Sequence, residues 1–211
     1  MVKKYILRRL FFIILIITSI LLLNFRFYLY NTNFYDKEFT KLNIYDKFPR
    51  ETVWENTNNL FEFFKSGKEL NDFFNEREKL HLIDVKNLIN YAIFSLYASL
   101  ILLIITFYLN RNSLSKPLII SGIALVLIPS IFYMLNFQSM FLLFHKLAFT
   151  NNYWLLNPET DNLIKLFPQD FFKDFLMKIG INSFIISIVL IVLGLFMAKR
   201  KNRFNIFPVK S

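Results

Sequence analysis

The sequence contains no cysteine and only two histidines among its 211 residues. The absence of cysteine excludes disulfide bonds, thiolate metal sites and a cysteine nucleophile. Several common enzyme motifs are also missing, namely the G-x-S-x-G nucleophile turn, the phosphate-binding P-loop, the H-E-x-x-H zinc motif and the glycine-rich dinucleotide fingerprint. Catalysis by this chain therefore has to rest on other side chains, and the first candidates are His81 and His145.

Apolar residues, in contrast, are abundant. Hydrophobic residues make up 55% of the chain and aromatic residues 18%, well above the balance of soluble proteins. Crossing the hydrocarbon core of a bilayer takes about 20 residues in a helix. The first apolar run has no small-x-small cleavage site after it, so we interpret it as a retained helix rather than a signal peptide. The sequence thus predicts an all-α membrane protein with four transmembrane helices, at about 10–30, 88–109, 117–135 and 179–197.

The formal charge of +10 suggests a nucleic-acid partner until its distribution is considered. All fifteen acidic residues lie in 31–86 and 136–178, where nine and four basic residues nearly balance them. Most of the other basic residues are at the N-terminus, in 110–116 and at the C-terminus. In a chain with four spans, these three segments lie on the same side of the membrane. The positive-inside rule makes that side the cytoplasm. We therefore predict a multi-pass protein with cytoplasmic termini, two outer loops and no nucleic-acid partner.

Both predicted outer loops contain apolar residues at helical spacing. In the loop 31–86, a helix is expected from Arg50 to Lys65, and another from near Asp72 or Asn75 into the second span. In the loop 136–178, the segment 137–149 is too short to span and is expected to lie at the outer interface or to re-enter shallowly. A short helix is expected over Asp161–Phe167. Together these predict a mostly helical extracytoplasmic cap.

His81 has charged neighbours at helical spacing in the segment NEREKLHLIDVK. Glu78 and Asp84 are three residues away and Arg77 is four away, so all of these side chains share one side of a helix. Either carboxylate can hold one imidazole tautomer and raise its basicity, as the orienting carboxylate does in hydrolytic triads. The alternative is that His81 is only a polar residue where the helix enters the headgroup region.

His145 is surrounded in sequence by phenylalanine and leucine, which predicts partial burial. Both histidines are expected at the outer edge of the membrane, so they are candidates for a catalytic pair. A two-histidine metal site is the alternative, but neither H-x-x-x-H nor H-x-x-E spacing occurs. We therefore predict no metal and no other cofactor.

Four further residues are candidates for binding or support. Arg26 lies about one turn inside the outer end of the first span, where it either extends to the headgroups or faces inward as a functional cation. Asn151 and Asn152 are either turn residues or hydrogen-bond donors to a reacting carbonyl. Trp154 is either an interfacial anchor or, with the asparagines, a residue that holds a lipid ester in place.

Two segments resemble the signature segments of the lipoprotein intramolecular transacylase family. They are EREKLHLIDVK, which precedes a span, and FHKLAFTNNYWLLNPETDNLIKLFPQDFF, which precedes the last one. The resemblance implies a bacterial cell-membrane enzyme with its active site at the outer face, working as a monomer without a cofactor. Its partners are diacylated lipoproteins and membrane lipids, and its two functional histidines match His81 and His145.

The reaction that this resemblance implies transfers one acyl chain within a lipoprotein. The chain leaves the sn-2 oxygen of the S-linked diacylglyceryl group and joins the α-amine of the N-terminal cysteine, which gives the lyso-form. The attacking amine belongs to the substrate, so the enzyme needs no serine or cysteine nucleophile. An α-amine has a pKa of about 8 and an imidazole a pKa of about 6.5, so histidine suits the role of general base.

We assign the role of base to His81, because carboxylates are nearby, and the oxyanion or leaving group to His145. Two other readings stay open. The chain can be a non-catalytic membrane protein that binds lipid or a partner, or another histidine-dependent lipid acyltransferase or hydrolase.

Overall fold

The regular secondary structure of the described residues is helical, with no strand among them. A computed structural model describes residues 2–110 and 113–206, and side chains at 5–110 and 113–200. This confirms the predicted all-α class. The helices are α1 (Val2–Tyr28), α2 (Thr32–Lys41), α3 (Ile44–Lys47), α4 (Arg50–Ser66), α5 (Glu76–Asn110), α6 (Ser115–Met134), α7 (Phe137–Ala148), α8 (Asn162–Leu166) and α9 (Gln169–Ile206).

Four helices within the described ranges are long and apolar enough to cross a membrane. They are Tyr5–Tyr28 in α1, Glu76–Asn110, Ser115–Met134 and Gln169–Arg200 in α9. The four predicted apolar runs fall within or largely overlap them. However, α5 and α9 begin well before the apolar runs because the polar segments ahead of them are helical too. The basic segment 110–116 includes Arg111, which lies outside the described residues, as do the side chains of Lys3, Lys4 and the tail after Arg200.

The chain divides into two compact units. The first comprises the described parts of Met1–Phe25, Phe94–Met134 and Lys178–Ser211. Its outward side chains are apolar, among them Phe94 and Phe196, which are 73% and 65% exposed. Its interior contains polar groups, such as the buried hydroxyls of Ser19 and Ser99, which are 3.0 Å apart. In a soluble protein the arrangement is the opposite, with polar side chains outside and apolar side chains inside. This unit is therefore suited to a lipid environment.

Small residues let α6 and α9 approach closely within this first unit. A Cβ atom added at Gly122 would lie 2.9 Å from the main-chain oxygen of Ser187. One added at Gly194 would lie 2.9 Å from the main-chain oxygen of Ser115. Both glycines are therefore required by the contact between the two helices.

The second unit comprises Arg26–Ile93 and Leu135–Met177, and its core is aromatic. Phe39 is fully buried and packs against Phe167 and Phe171, with ring centroids 5.7 and 6.1 Å away. The predicted helix Arg50–Lys65 is confirmed as α4, which ends where Gly67 adopts a left-handed φ of 80°. This conformation is easy for glycine. Helices α2 and α3 were not predicted.

Candidate active site

The first turn of α5 is fixed by a reciprocal pair of hydrogen bonds. A carboxylate oxygen of Glu78 accepts from the amide N–H of Asn75, with 2.7 Å between them. The side-chain oxygen of Asn75 accepts from the amide of Glu78 at 3.0 Å. The other carboxylate oxygen of Glu78 accepts from the amide of Leu163, at the start of α8. The buried carboxylate of Glu78 therefore stabilises the first turn of α5 and also binds the start of α8. His81 follows Glu78 by less than one turn, so the same contacts fix the part of α5 that contains His81.

Asp161 ties the same region together. Its two carboxylate oxygens accept from the side-chain amide of Asn75 at 2.9 Å and the main-chain N–H of Asn157 at 2.7 Å. Burial alone would raise the pKa of Asp161, but these hydrogen bonds lower it below the usual range. The sequence predicted a helix over Asp161–Phe167. Asp161 occupies the N-cap position of the shorter α8, but its side chain does not cap that helix.

His145 is held in one orientation by its own helix. Its Nδ1 atom is 2.7 Å from the main-chain oxygen of Phe141, one turn earlier in α7. A carbonyl can only accept, so Nδ1 carries the proton and Nε2 keeps its lone pair. Burial lowers the pKa of His145, and the smaller effect of the bond to Phe141 opposes this. The imidazole is therefore neutral at neutral pH.

The two histidines come together from segments more than sixty residues apart in sequence. Their ring centroids are 6.1 Å apart, and the rings are tilted by 34°. Both are buried, with 7% of His81 and 8% of His145 exposed. Phe149 contacts both rings, at 5.1 and 5.6 Å between centroids. The Nδ1 atom of His81 is buried and has no hydrogen-bond partner among the described residues.

Neither predicted carboxylate partner makes a hydrogen bond to His81 among the described residues. Glu78 uses both of its oxygens on main-chain amides. Asp84 accepts a hydrogen bond from the side chain of Asn151, with 2.8 Å between the two atoms. Helical spacing correctly places these carboxylates near His81, but acceptor geometry directs them to other groups. The Nδ1 atom of His81 is therefore left without a hydrogen-bond partner among the described residues.

Trp154 and Asn151 support His145. The Trp154 ring lies against the imidazole, with centroids 5.2 Å apart and a tilt of 37°. Its indole N–H donates to the main-chain oxygen of Asn151 at 2.9 Å. Because the side chain of Asn151 is bound to Asp84, this set of contacts runs from α5 through the loop to the imidazole.

The other predicted site residues are placed differently. A guanidinium nitrogen of Arg77 donates to the main-chain oxygen of Asn152 at 2.8 Å, so these two residues meet beside His81. Arg26 instead lies over the ring of Tyr30, at 4.9 Å from the centroid, and its interactions in the described part of the chain do not include the histidines. No group of three or more metal-binding side chains occurs among the described residues.

Two important contacts were missed at the sequence level. Phe141 acts through its main-chain oxygen, and Phe149 contacts both imidazole rings. Phe141 and Phe149 are each four residues from His145, a spacing at which residues are neighbours on a helix. Only the contact of Phe149 with His81 has no local signal in the sequence.

Comparison with known proteins identifies the family. The sequence matches the family described as lipoprotein intramolecular transacylase Lit over residues 10–172, well over half of the chain. The chain belongs to this family. Family membership confirms the resemblance seen in the two signature segments, and the family name denotes an acyltransferase.

The chain is also similar to a protein from Aquifex aeolicus (strain VF5), described only as uncharacterized. It is 31% identical over 134 residues, which are 62% of this chain and 59% of that relative's own length. A solved structure of the membrane-integral lipoprotein intramolecular transacylase from Bacillus cereus has a TM-score of 0.79 at 27% identity. That match covers 96% of this chain and 100% of the other.

Two further structures of the Bacillus cereus transacylase carry a substitution of one histidine. In one the histidine is replaced by arginine, and in the other by alanine; both have a TM-score of 0.79, at 26% and 25% identity. Each covers 93% of this chain. The helical architecture is therefore that of a membrane-integral transacylase along almost its whole length.

Proposed function

We propose that this chain moves an acyl chain from the sn-2 oxygen of an S-diacylglyceryl cysteine to the α-amine of that same cysteine. The observation that carries the proposal is the pairing of two buried imidazoles, 6.1 Å apart between ring centroids. The reacting amine and the ester belong to one molecule. The enzyme then has to hold them together and move protons, for which two histidines are sufficient.

His145 is the base in this proposal. Its Nδ1–H is bonded to Phe141, so the Nε2 lone pair is free to accept the proton of the attacking amine. Its lowered pKa keeps the ring neutral and ready to accept at neutral pH. The sequence assigned this role to His81 on the expectation of a carboxylate partner, but no hydrogen bond joins His81 to Glu78 or Asp84 among the described residues.

His81 serves the other end of the reaction. As the amine nitrogen forms a bond to the ester carbonyl carbon, negative charge develops on the carbonyl oxygen, and the unpartnered Nδ1 of His81 can donate to it. The bond between that carbon and the glyceryl oxygen then breaks. The oxygen takes up the proton that the amine lost. The amide and the free hydroxyl are formed with no water consumed and no acyl group lost.

The remaining predictions complete the proposal. The active site is at the outer face of a bacterial cell membrane, with both termini in the cytoplasm, and the enzyme works as a monomer. The diacylated lipoprotein reaches it from the bilayer, where its acyl chains meet apolar side chains. Exposed leucine and phenylalanine residues on α7, the helix that carries His145, support this route of entry.

The test uses purified protein in detergent with a diacylated lipopeptide and no other component. The product expected is an isomer of the substrate, so its mass is unchanged while its α-amine no longer reacts with an amine label. Tandem mass spectrometry should locate the acyl chain on the cysteine nitrogen. His81→Ala and His145→Ala should each abolish conversion, whereas the exposed neighbour Lys146→Ala should retain it.

Other outcomes separate the competing functions. A hydrolase releases free fatty acid and lowers the substrate mass, and an intermolecular transferase adds mass to a second molecule. A non-catalytic protein leaves the substrate unchanged. Full activity in both histidine variants would exclude the mechanism.

A further inference from the structure

An open, shallow hollow of about 390 Å³ lies near the start of α5 in the second unit. It is lined by Arg77, Leu80, Asn152 and Tyr153. One guanidinium nitrogen of Arg77 donates to the main-chain oxygen of Asn152, which fixes the direction of the group. Arginine has five N–H donors, so most of its donors remain available to a bound molecule. The hollow thus combines a guanidinium group of fixed direction with the apolar side chain of Leu80.

The side chain of Asn152 adds a second kind of hydrogen bonding. It is exposed, and its amide makes no hydrogen bond to any residue that the structure describes. An amide side chain offers both donors and an acceptor, and every peptide unit likewise presents one N–H and one C=O. Arg77 and Asn152 therefore match the main chain of a peptide better than they match a fatty acyl chain.

The position of the hollow along α5 agrees with this chemistry. Arg77 precedes His81 by four residues, about 6 Å along a helix axis. The apolar residues of the predicted span begin only after His81, near residue 88. A substrate bound at the histidines would have its acyl chains on the side of the span. Its polypeptide would leave on the opposite side, where Arg77 is.

We propose that this hollow binds the main chain of the lipoprotein just after its acylated cysteine. Arg77 donates to a main-chain carbonyl, and the Asn152 amide pairs with an adjacent peptide unit. Tyr153 and Leu80 contact the first side chains. This inference rests on the proposed reaction, for which it names the binding site of the peptide part. Main-chain binding lets one enzyme act on lipoproteins of different sequence.

The test compares two substrates that differ only in the peptide. One is a diacylated lipopeptide with several residues after the cysteine, and the other is the diacylated cysteine as its methylamide. For the long substrate, Arg77→Ala should raise KM about 10-fold with kcat little changed, as expected when a charged hydrogen bond is lost. For the short substrate, kcat/KM should change less than about 2-fold. Lys79→Ala removes a cation from the same helix outside the hollow and should change neither value.

Asn152→Ala supplies a second variant. It keeps the main-chain oxygen that Arg77 binds, so the loop is retained while the side-chain amide is lost. It should likewise raise KM for the long substrate alone, and it decides the question if Arg77→Ala fails to fold. An equal loss on both substrates, or no loss on either, would overturn the inference. If the unaltered protein converts neither substrate, the proposed reaction itself fails, which is a different result.

Discussion

The carboxylate of Asp84 accepts a hydrogen bond from the side chain of Asn151, with 2.8 Å between Oδ2 and Nδ2. The bond links α5 to a loop residue 67 positions later in the sequence. That loop residue also accepts from the indole of Trp154, which packs on His145. We infer that Asp84 positions His145 in the proposed site through Asn151 and Trp154, and no hydrogen bond joins it to His81 among the described residues.

Substitution of Asp84 distinguishes this role from that of an orienting partner for His81. Asp84→Asn keeps a carbonyl oxygen that can accept from Asn151, so we expect most of the activity to remain. Asp84→Ala removes the acceptor and should lower kcat about 10-fold, because the support of Trp154 and His145 is weakened. If Asp84 oriented the imidazole of His81 as in a hydrolytic triad, the asparagine variant would lose on the order of 10⁴-fold. Rates of both variants on the diacylated lipopeptide decide between the two.

The buried carboxylate of Glu78 should be important for stability. Glu78→Ala leaves the amides of Asn75 and Leu163 without their acceptors, at a cost on the order of 2 kcal/mol. The matched control is Glu76→Ala in the same turn, whose side chain is 89% exposed and should be nearly neutral. Thermal unfolding of the three proteins in detergent measures the difference. Equal midpoints for both variants would contradict the assigned role.

The pKa of His145 is directly measurable, because the chain has only two histidines. Burial lowers this pKa, so NMR titration of ¹⁵N-histidine-labelled protein should give a midpoint below about 6.5 for His145. His81→Ala leaves a single signal and assigns it. A midpoint at or above 6.5 would show that the ring is not desolvated as the structure indicates.

The same shift makes stability depend on pH. The unfolded chain binds a proton at its His145 side chain near pH 6.5, whereas the folded chain binds it only at lower pH. The contribution of this group to the free energy of unfolding should therefore be fully present above pH 6.5. It is lost progressively as the pH falls toward the folded pKa.

The contact between α6 and α9 should tolerate no side chain at Gly122. Gly122→Ala places a methyl group 2.9 Å from a main-chain oxygen, which has to move. Gly180→Ala is the control, since its nearest contact is a proline side-chain carbon at 3.2 Å. We expect a lower unfolding temperature for the first variant and a smaller change for the second. A larger decrease in unfolding temperature for Gly180→Ala than for Gly122→Ala would show that the two helices separate easily.

Much of the fold was predictable because the membrane imposes a simple requirement. Hydropathy indicated the four long helices, and helical spacing with Gly67 indicated α4. Helices α2 and α3 were missed because their stabilising contacts come from elsewhere in the chain. Phe39 in α2, for example, packs on Phe167 and Phe171.

The candidate site was predictable only in part, for a similar reason. Helical spacing placed Glu78 and Asp84 near His81, but a donor to each carboxylate comes from a residue 85 or 67 positions away, respectively. Helical spacing in the sequence shows which side chains lie close together. It does not show which polar group of a distant segment forms the hydrogen bond to a given carboxylate.

A single helix, α5, carries the proposed peptide-binding residue Arg77, the histidine His81 and then the apolar stretch, in that order. A continuous helix fixes the distances between them at about 1.5 Å per residue. In the proposed reaction this spacing, about 6 Å along the axis from Arg77 to His81, sets how far the bound peptide lies from the reacting ester. The enzyme would then select substrates by that distance, which needs no recognition of sequence.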